Sequence, residues 1–131
     1  MQNRIIKFLK ENIPQLKGIY LFGSRSSGQE RPGSDWDIAF LVDDKPMPAL
    51  QKWQLQEKLA AMLNADVDLI DLQDVSTVMR FQVLSTGERI FCADEYFCAY
   101  FEMVSISMYQ RLQEERKAII ETALKRGSIY G

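Results

Sequence analysis

The sequence predicts an α/β (α+β) fold: a small mixed sheet with flanking helices and a long C-terminal helix. Three observations predict it. Helical and strand periodicities alternate along the chain in the order α, β, β, α, β, α, β, α. The clear strand runs are short, and the fourth, Arg89-Ile90-Phe91-Cys92, is shorter still, which bounds the sheet to a small one. Finally, 131 residues with 47% hydrophobic composition suit one compact domain with a real core and are too few for two.

Each element has its own signal. Ile5, Ile6, Phe8, Leu9 and Ile13 recur at helical spacing, and Pro14 ends that helix. Gly18-Ile19-Tyr20-Leu21-Phe22 reads as a buried strand stopped by Gly23-Ser24, and residues 25–34 are a polar, glycine-rich loop. A second strand runs from Asp35 to Val42. Pro46 and Pro48 mark a loop, after which Leu50, Trp53, Leu59, Met62 and Leu63 lie in a helix over 49–64. Val67-Asp68-Leu69-Ile70-Asp71-Leu72 is a third strand. A helix through Val78, Met79, Gln82 and Val83 is expected to end on Gly87 as a left-handed cap. From Asp94, a candidate N-cap, the chain reads as helix to Arg126, with Gly127 as its stop. The expected organisation is a single domain over 1–131, with a core over 1–92 and a C-terminal helix over 94–126.

Composition removes whole classes of chemistry. The chain has no histidine, so Ser-His-Asp and Cys-His catalysis and mixed Cys/His zinc sites are excluded. Its 2 cysteines are too few for an all-cysteine zinc site, so any metal is expected to be a hard ion on carboxylates. Cys92 and Cys98 have neither redox nor disulfide-framework spacing and are expected to be reduced, semi-buried thiols. A net charge of −2 suits bulk nucleic acid poorly, and no direct nucleic-acid contact is expected. Neither a signal-peptide run nor a membrane-length apolar stretch occurs, so a cytoplasmic location is expected.

The chemistry concentrates in Gly23-Ser24, ten residues, then Asp35-Trp36-Asp37. In a strand Asp35 and Asp37 project from one face, where two carboxylates repel unless a divalent cation lies between them. A glycine at a strand end lets backbone N–H groups approach a phosphate; the Ser24 hydroxyl adds a donor and Arg25 a charge. If the first two strands are antiparallel neighbours, turn and acidic pair meet. If the second and third are parallel, Asp68 joins them. Asp66 and Asp71 compete with Asp68 for that place. The plainer alternatives are turn capping for Asp35 and Asp37 and a solvated loop charge for Arg25. Ser26, Ser27 and Ser34 read as turn formers.

Leu21-Phe22-Gly23-Ser24-Arg25, Gly28, Arg31-Pro32-Gly33-Ser34-Asp35-Trp36-Asp37-Ile38 resembles the signature of the DNA polymerase β-type nucleotidyltransferase superfamily. The size and layout resemble its minimal nucleotidyltransferase (MNT) branch, over roughly residues 5–110. Trp36, where a small aliphatic is usual, and Ser27, where alanine is frequent, depart from the pattern without removing a ligand. The resemblance implies the polymerase β-type fold and two magnesium ions held by Asp35, Asp37 and a third acid. Asp68 fits that acid better than Asp71, because the family's acid opens the third strand. It also implies that Gly23 and Ser24, with Arg25 beside them, bind the phosphates of ATP for in-line transfer of a nucleoside monophosphate.

In the last helix, Tyr96, Tyr100, Met103 and Ser107 form one stripe and Phe97, Phe101, Val104 and Met108 another. The phenylalanine stripe is expected to pack on the sheet and the Tyr/Met stripe to be the interface candidate. Beyond Leu112, Gln113-Glu114-Glu115-Arg116-Lys117 reads as a solvated extension. Proteins of the resembled kind commonly accompany a HEPN-type ribonuclease as the antitoxin of a toxin–antitoxin pair. The resemblance implies transfer of AMP from ATP to a toxin tyrosine. Two alternatives stand beside it: a small-molecule transferase of the aminoglycoside type, for which the chain leaves little room, and a binding-only antitoxin.

Overall fold

Ile5 and Leu9 lie about one helical turn apart and are both fully buried, which fixes α1 (Gln2–Asn12) on the sheet by a single apolar stripe. Each such side chain contributes about 1.5–3 kcal/mol of transfer free energy. The computed structural model describes residues 1–23, 35–43 and 45–130, with side chains as far as residue 126. After α1 come β1 (Leu16–Phe22), β2 (Trp36–Val42), α2 (Ala49–Leu63), β3 (Val67–Asp71), α3 (Thr77–Thr86), β4 (Glu88–Cys92) and α4 (Glu95–Tyr130).

The four strands form one mixed sheet in the order β3-β2-β1-β4. β1 is antiparallel to β2 and to β4, whereas β2 and β3 are parallel. The crossover α2 makes that parallel pair possible, as βαβ geometry requires. α2 also shields the edge strand β3, where Gln56 Oε1 accepts from the Leu69 amide at 2.9 Å.

Strand alternation splits the core in two. Leu16, Ile19 and Leu21 of β1, Trp36, Ile38, Phe40 and Val42 of β2, and Val67 and Leu69 of β3 face α1 and α2. Tyr20, Ala39, Leu41 and Ile70 face α3 and α4, where Val83, Cys98, Phe97 and Phe101 cover them. Tyr20 Oη is buried on that second face and donates to Glu102 Oε1 at 3.1 Å. Burial, then the Glu102 charge, push the Tyr20 phenol well above its usual range. Arg89 extends the network to Glu102 at 3.6 Å and Glu95 at 2.9 Å, so β1, β4 and α4 share one polar clamp.

Two expected helix ends differ. Gly87 has φ −82 and ψ 168, extended rather than left-handed. A Cβ there would sit 2.5 Å from the Val83 carbonyl and 2.8 Å from that of Leu21, so close backbone approach explains the glycine. Gly127 does not stop α4, which continues to Tyr130. Its start follows expectation: Asp94 Oδ1 accepts from the Phe97 amide at 3.1 Å. The cysteines are both free, Cys92 half-buried and Cys98 buried, with sulfurs 3.1 Å apart. Burial, then the Cys92 contact, raise the Cys98 thiol to about 12, which suits an inert core thiol.

Candidate functional site

Three chain segments meet at one end of the sheet. β1 finishes at Phe22, whose register partner is Asp37 near the start of β2, and Asp37 in turn pairs with Asp68 near the start of β3. Asp37 lies two residues before Ala39, and Asp68 two before Ile70, so both occupy the face covered by α3 and α4. Asp35, two residues before Asp37, shares that parity and acts on the Asp37 carboxyl through its charge. The expected antiparallel and parallel pairings are both present, and together they gather Asp35, Asp37 and Asp68.

Gly23 closes the corner. Its φ of +71 is a left-handed conformation that a side chain rarely adopts, and a Cβ there would collide with the Asp37 carboxylate. The turn can therefore lie against the acidic pair only as glycine. Ser24 and Arg25, the other expected phosphate contacts, lie outside the described residues, as do Ser26, Ser27, Gly28 and Ser34.

The electrostatics follow from this arrangement. Burial, then the charges of Asp68 and Asp35, hold the Asp37 carboxyl above the ordinary carboxylate range. Among the described residues no Lys or Arg forms an ion pair with any of the three aspartates. Among the described residues no group of three His, Cys, Asp or Glu side chains is gathered closely enough to hold a metal ion together. The aspartates are neighbours in register and in field, with hard oxygen donors, and they fit magnesium by donor chemistry.

Strand parity separates Asp68 from its competitor. Asp71 falls on the opposite face, is 2% exposed, and accepts from the Met47 amide at 2.8 Å and the Gln73 amide at 2.9 Å. Both its oxygens are committed to anchoring loops. Trp36 likewise points away from the acidic pair and packs in the α1/α2 core. The phenylalanine stripe of α4 packs as expected through Phe97 and Phe101, although Met108 is exposed, and Tyr96, Tyr100 and Met103 are exposed. Sequence inspection passes over Ile119, Ile120 and Leu124, also exposed, because charged neighbours break up the apolar pattern.

A mixed sheet that presents a glycine turn against paired aspartates, with a third aspartate from the next parallel strand, defines a nucleotidyltransferase. The chain belongs to the polymerase beta nucleotidyltransferase family, which it matches over residues 3–96. It is 45% identical over 123 residues to the protein adenylyltransferase MntA of Shewanella oneidensis, covering 94% of this chain and 87% of the relative. A crystal structure of a toxin–antitoxin with AMP-PNP aligns at a TM-score of 0.83 and 45% identity, over 94% of this chain and 98% of that one. A tri-AMPylated HEPN toxin of Shewanella oneidensis in complex with MNT antitoxin aligns at 0.78 and 43% identity, over 94% and 95%.

Proposed function

We propose that this chain is a magnesium-dependent adenylyltransferase that moves AMP from ATP to a tyrosine of a HEPN-type ribonuclease toxin and so acts as its antitoxin. The observation that carries the reading is the placement of Asp68 beside Asp37, with Gly23 pressed against the same carboxylate. The relatives add the substrate and the partner. One matched structure holds an ATP analogue, and another holds a toxin that already carries AMP.

Asp35, Asp37 and Asp68 would hold the magnesium. Bound there, the ions would neutralise the triphosphate and make the acceptor hydroxyl a better nucleophile. The Gly23 turn, Ser24 and Arg25 would receive the β- and γ-phosphates and so orient the α-phosphorus for in-line attack. With no histidine in the chain, a carboxylate is the natural proton acceptor for the tyrosine hydroxyl, and Asp68 at the edge of the cluster is our choice. The bond between the α-phosphorus and its bridging oxygen breaks, pyrophosphate leaves, and the tyrosine oxygen takes its place.

No described helix is long and apolar enough to cross a membrane. We place the protein in the cytoplasm, where ATP and a ribonuclease toxin would both be found. The test is incubation of the full chain with labelled ATP, magnesium and the product of the adjacent gene. Label on a tyrosine of that partner supports the reading. Neutralisation without label leaves the binding-only role, and in a parallel incubation with an aminoglycoside, label on the drug but not on protein favours the small-molecule alternative.

A further inference from the structure

We propose that Cys92 and Cys98 are a redox modification site, at which a peroxide converts the two thiols into a reversible disulfide that fastens the start of α4 to β4. The inference stands apart from the adenylyltransferase reading, because it uses none of the residues of the aspartate site.

The fold brings together two thiols that their spacing in the chain does not pair. Cys92 ends β4 and Cys98 lies near the start of α4, with sulfurs 3.1 Å apart, closer than ordinary contact between two sulfur atoms. The corner between them is held from three directions. The Ala93 amide donates to the Lys17 carbonyl at 2.8 Å, Asp94 Oδ1 accepts from the Phe97 amide at 3.1 Å, and Lys17 Nζ lies 3.8 Å from Asp94 Oδ2. None of these contacts uses a cysteine side chain, so the approach of the sulfurs is set by the corner and not by the thiols. Cys92 Sγ donates to Cys98 Sγ, which donates in turn to the Lys17 carbonyl at 3.3 Å.

Gly18 supplies the room. It is the register partner of Cys92, and a Cβ on it would sit 3.3 Å from Cys98 Sγ. Without that atom the Cys98 sulfur is free to shift. A disulfide bond is about 2.05 Å long, so the sulfurs need to close by only about 1 Å, within reach of small rotations about their χ1 bonds.

Exposure sets the order of events. Cys92 is half-buried, whereas Cys98 is fully buried and its thiol is raised to about 12, so a dissolved oxidant reacts first with Cys92. The Cys92 sulfur attacks hydrogen peroxide; the O–O bond breaks, one oxygen stays as the sulfenic acid and the other leaves as water. Cys98 Sγ then attacks Cys92 Sγ. The S–S bond forms, the S–O bond breaks, and the departing hydroxide takes the Cys98 proton. Two thiols are oxidised to one disulfide while one peroxide is reduced to two waters. Held proximity offsets the scarcity of Cys98 thiolate in this second step. Small thiols reverse the bond by exchange, as transient disulfides of reducing compartments require.

The new bond closes a ring across the β4–α4 corner. Gly18 is four residues before Phe22 on β1, so the staple lies about 13 Å from the end of the sheet that carries the aspartates. It adds a covalent tie to a helix otherwise held on β1 and β4 by the Tyr20, Glu102 and Arg89 clamp.

The test treats the folded full chain with hydrogen peroxide and counts the remaining thiols by maleimide uptake after unfolding. Wild type should take up two maleimides before oxidation, none after it, and two again after dithiothreitol. Cleavage after Glu95 separates the cysteines, so the peptides that carry Cys92 and Cys98 should stay joined until reduced. Oxidised wild type should melt about 5–10 °C higher than reduced wild type, and Cys92→Ser treated alike should show neither the link nor the rise. Two free thiols at a dose that has oxidised the exposed Met103 and Met108 overturn the proposal. So do sulfinic acid on Cys92 beside a free Cys98, a disulfide joining two chains, a link that forms only in urea, and an oxidised protein that melts no higher than the reduced one.

Discussion

Asp68 faces Asp37 across the parallel ladder between β3 and β2, each one residue into its strand. Adjacent strands are about 4.8 Å apart, so two carboxylates in register on one face repel. The fold accepts this cost at the sheet end where the glycine turn also arrives. The proposed divalent cation would offset that repulsion.

Gly23→Ala tests the corner. The substitution forces a side chain into a left-handed conformation and against the Asp37 carboxylate. It should destabilise the fold by about 1–3 kcal/mol and lower kcat/KM at least tenfold, read by thermal unfolding and label transfer.

Charge removal should separate Asp37 and Asp68 from Asp71. Asp37→Asn or Asp68→Asn relieves repulsion, so the metal-free protein should melt about 1–3 °C higher while transfer falls by roughly 100-fold or more. Asp71→Asn weakens two charge-assisted bonds to backbone amides. It should cost about 1–3 kcal/mol of stability yet leave the folded fraction active. A collapse of activity at full stability in Asp71→Asn would move the third acid to that position.

The pH response follows from the raised Asp37 carboxyl. Its folded-state pKa lies above its unfolded value, so protonation favours the folded state. The stability this group contributes is present below its unfolded pKa and is lost as pH rises through its folded pKa. Activity requires the charged form and should fall as pH drops through that same folded pKa. More magnesium should displace the proton, moving the acid limb of the kcat/KM profile to lower pH. An acid limb that does not move with magnesium would contradict the assignment.

Tyr20→Phe tests the clamp that holds α4 on the sheet. It removes the buried hydroxyl that donates to Glu102 but leaves the Arg89 contacts. A loss of about 0.5–1.5 kcal/mol in denaturant unfolding is expected, with kcat within about twofold of wild type.

Much of this was legible in the chain because it depends on local chemistry. Periodicity locates the eight elements, and the spacing of Gly23 from Asp35 and Asp37 marks the site, since a strand, a turn and a strand must bring them together. The choice between Asp68 and Asp71 was not legible from type or position alone. It required strand parity and the backbone amides that occupy Asp71. Gly87 misled because a glycine after a helix usually caps it, whereas here Leu21 and Val83 leave no room for a Cβ. The clamp of Tyr20, Glu102 and Arg89 joins residues far apart in sequence, and no local pattern announces it.

The most direct measurement of the central claim is intact-mass analysis of the partner toxin after incubation with this protein, ATP and magnesium, beside the Asp37→Asn variant. The account predicts that wild type adds one or more adenylyl groups to the toxin and abolishes its ribonuclease activity, while the variant adds none in the same time. An unmodified toxin after incubation with folded, ATP-binding wild type would contradict it, as would equal modification by the variant.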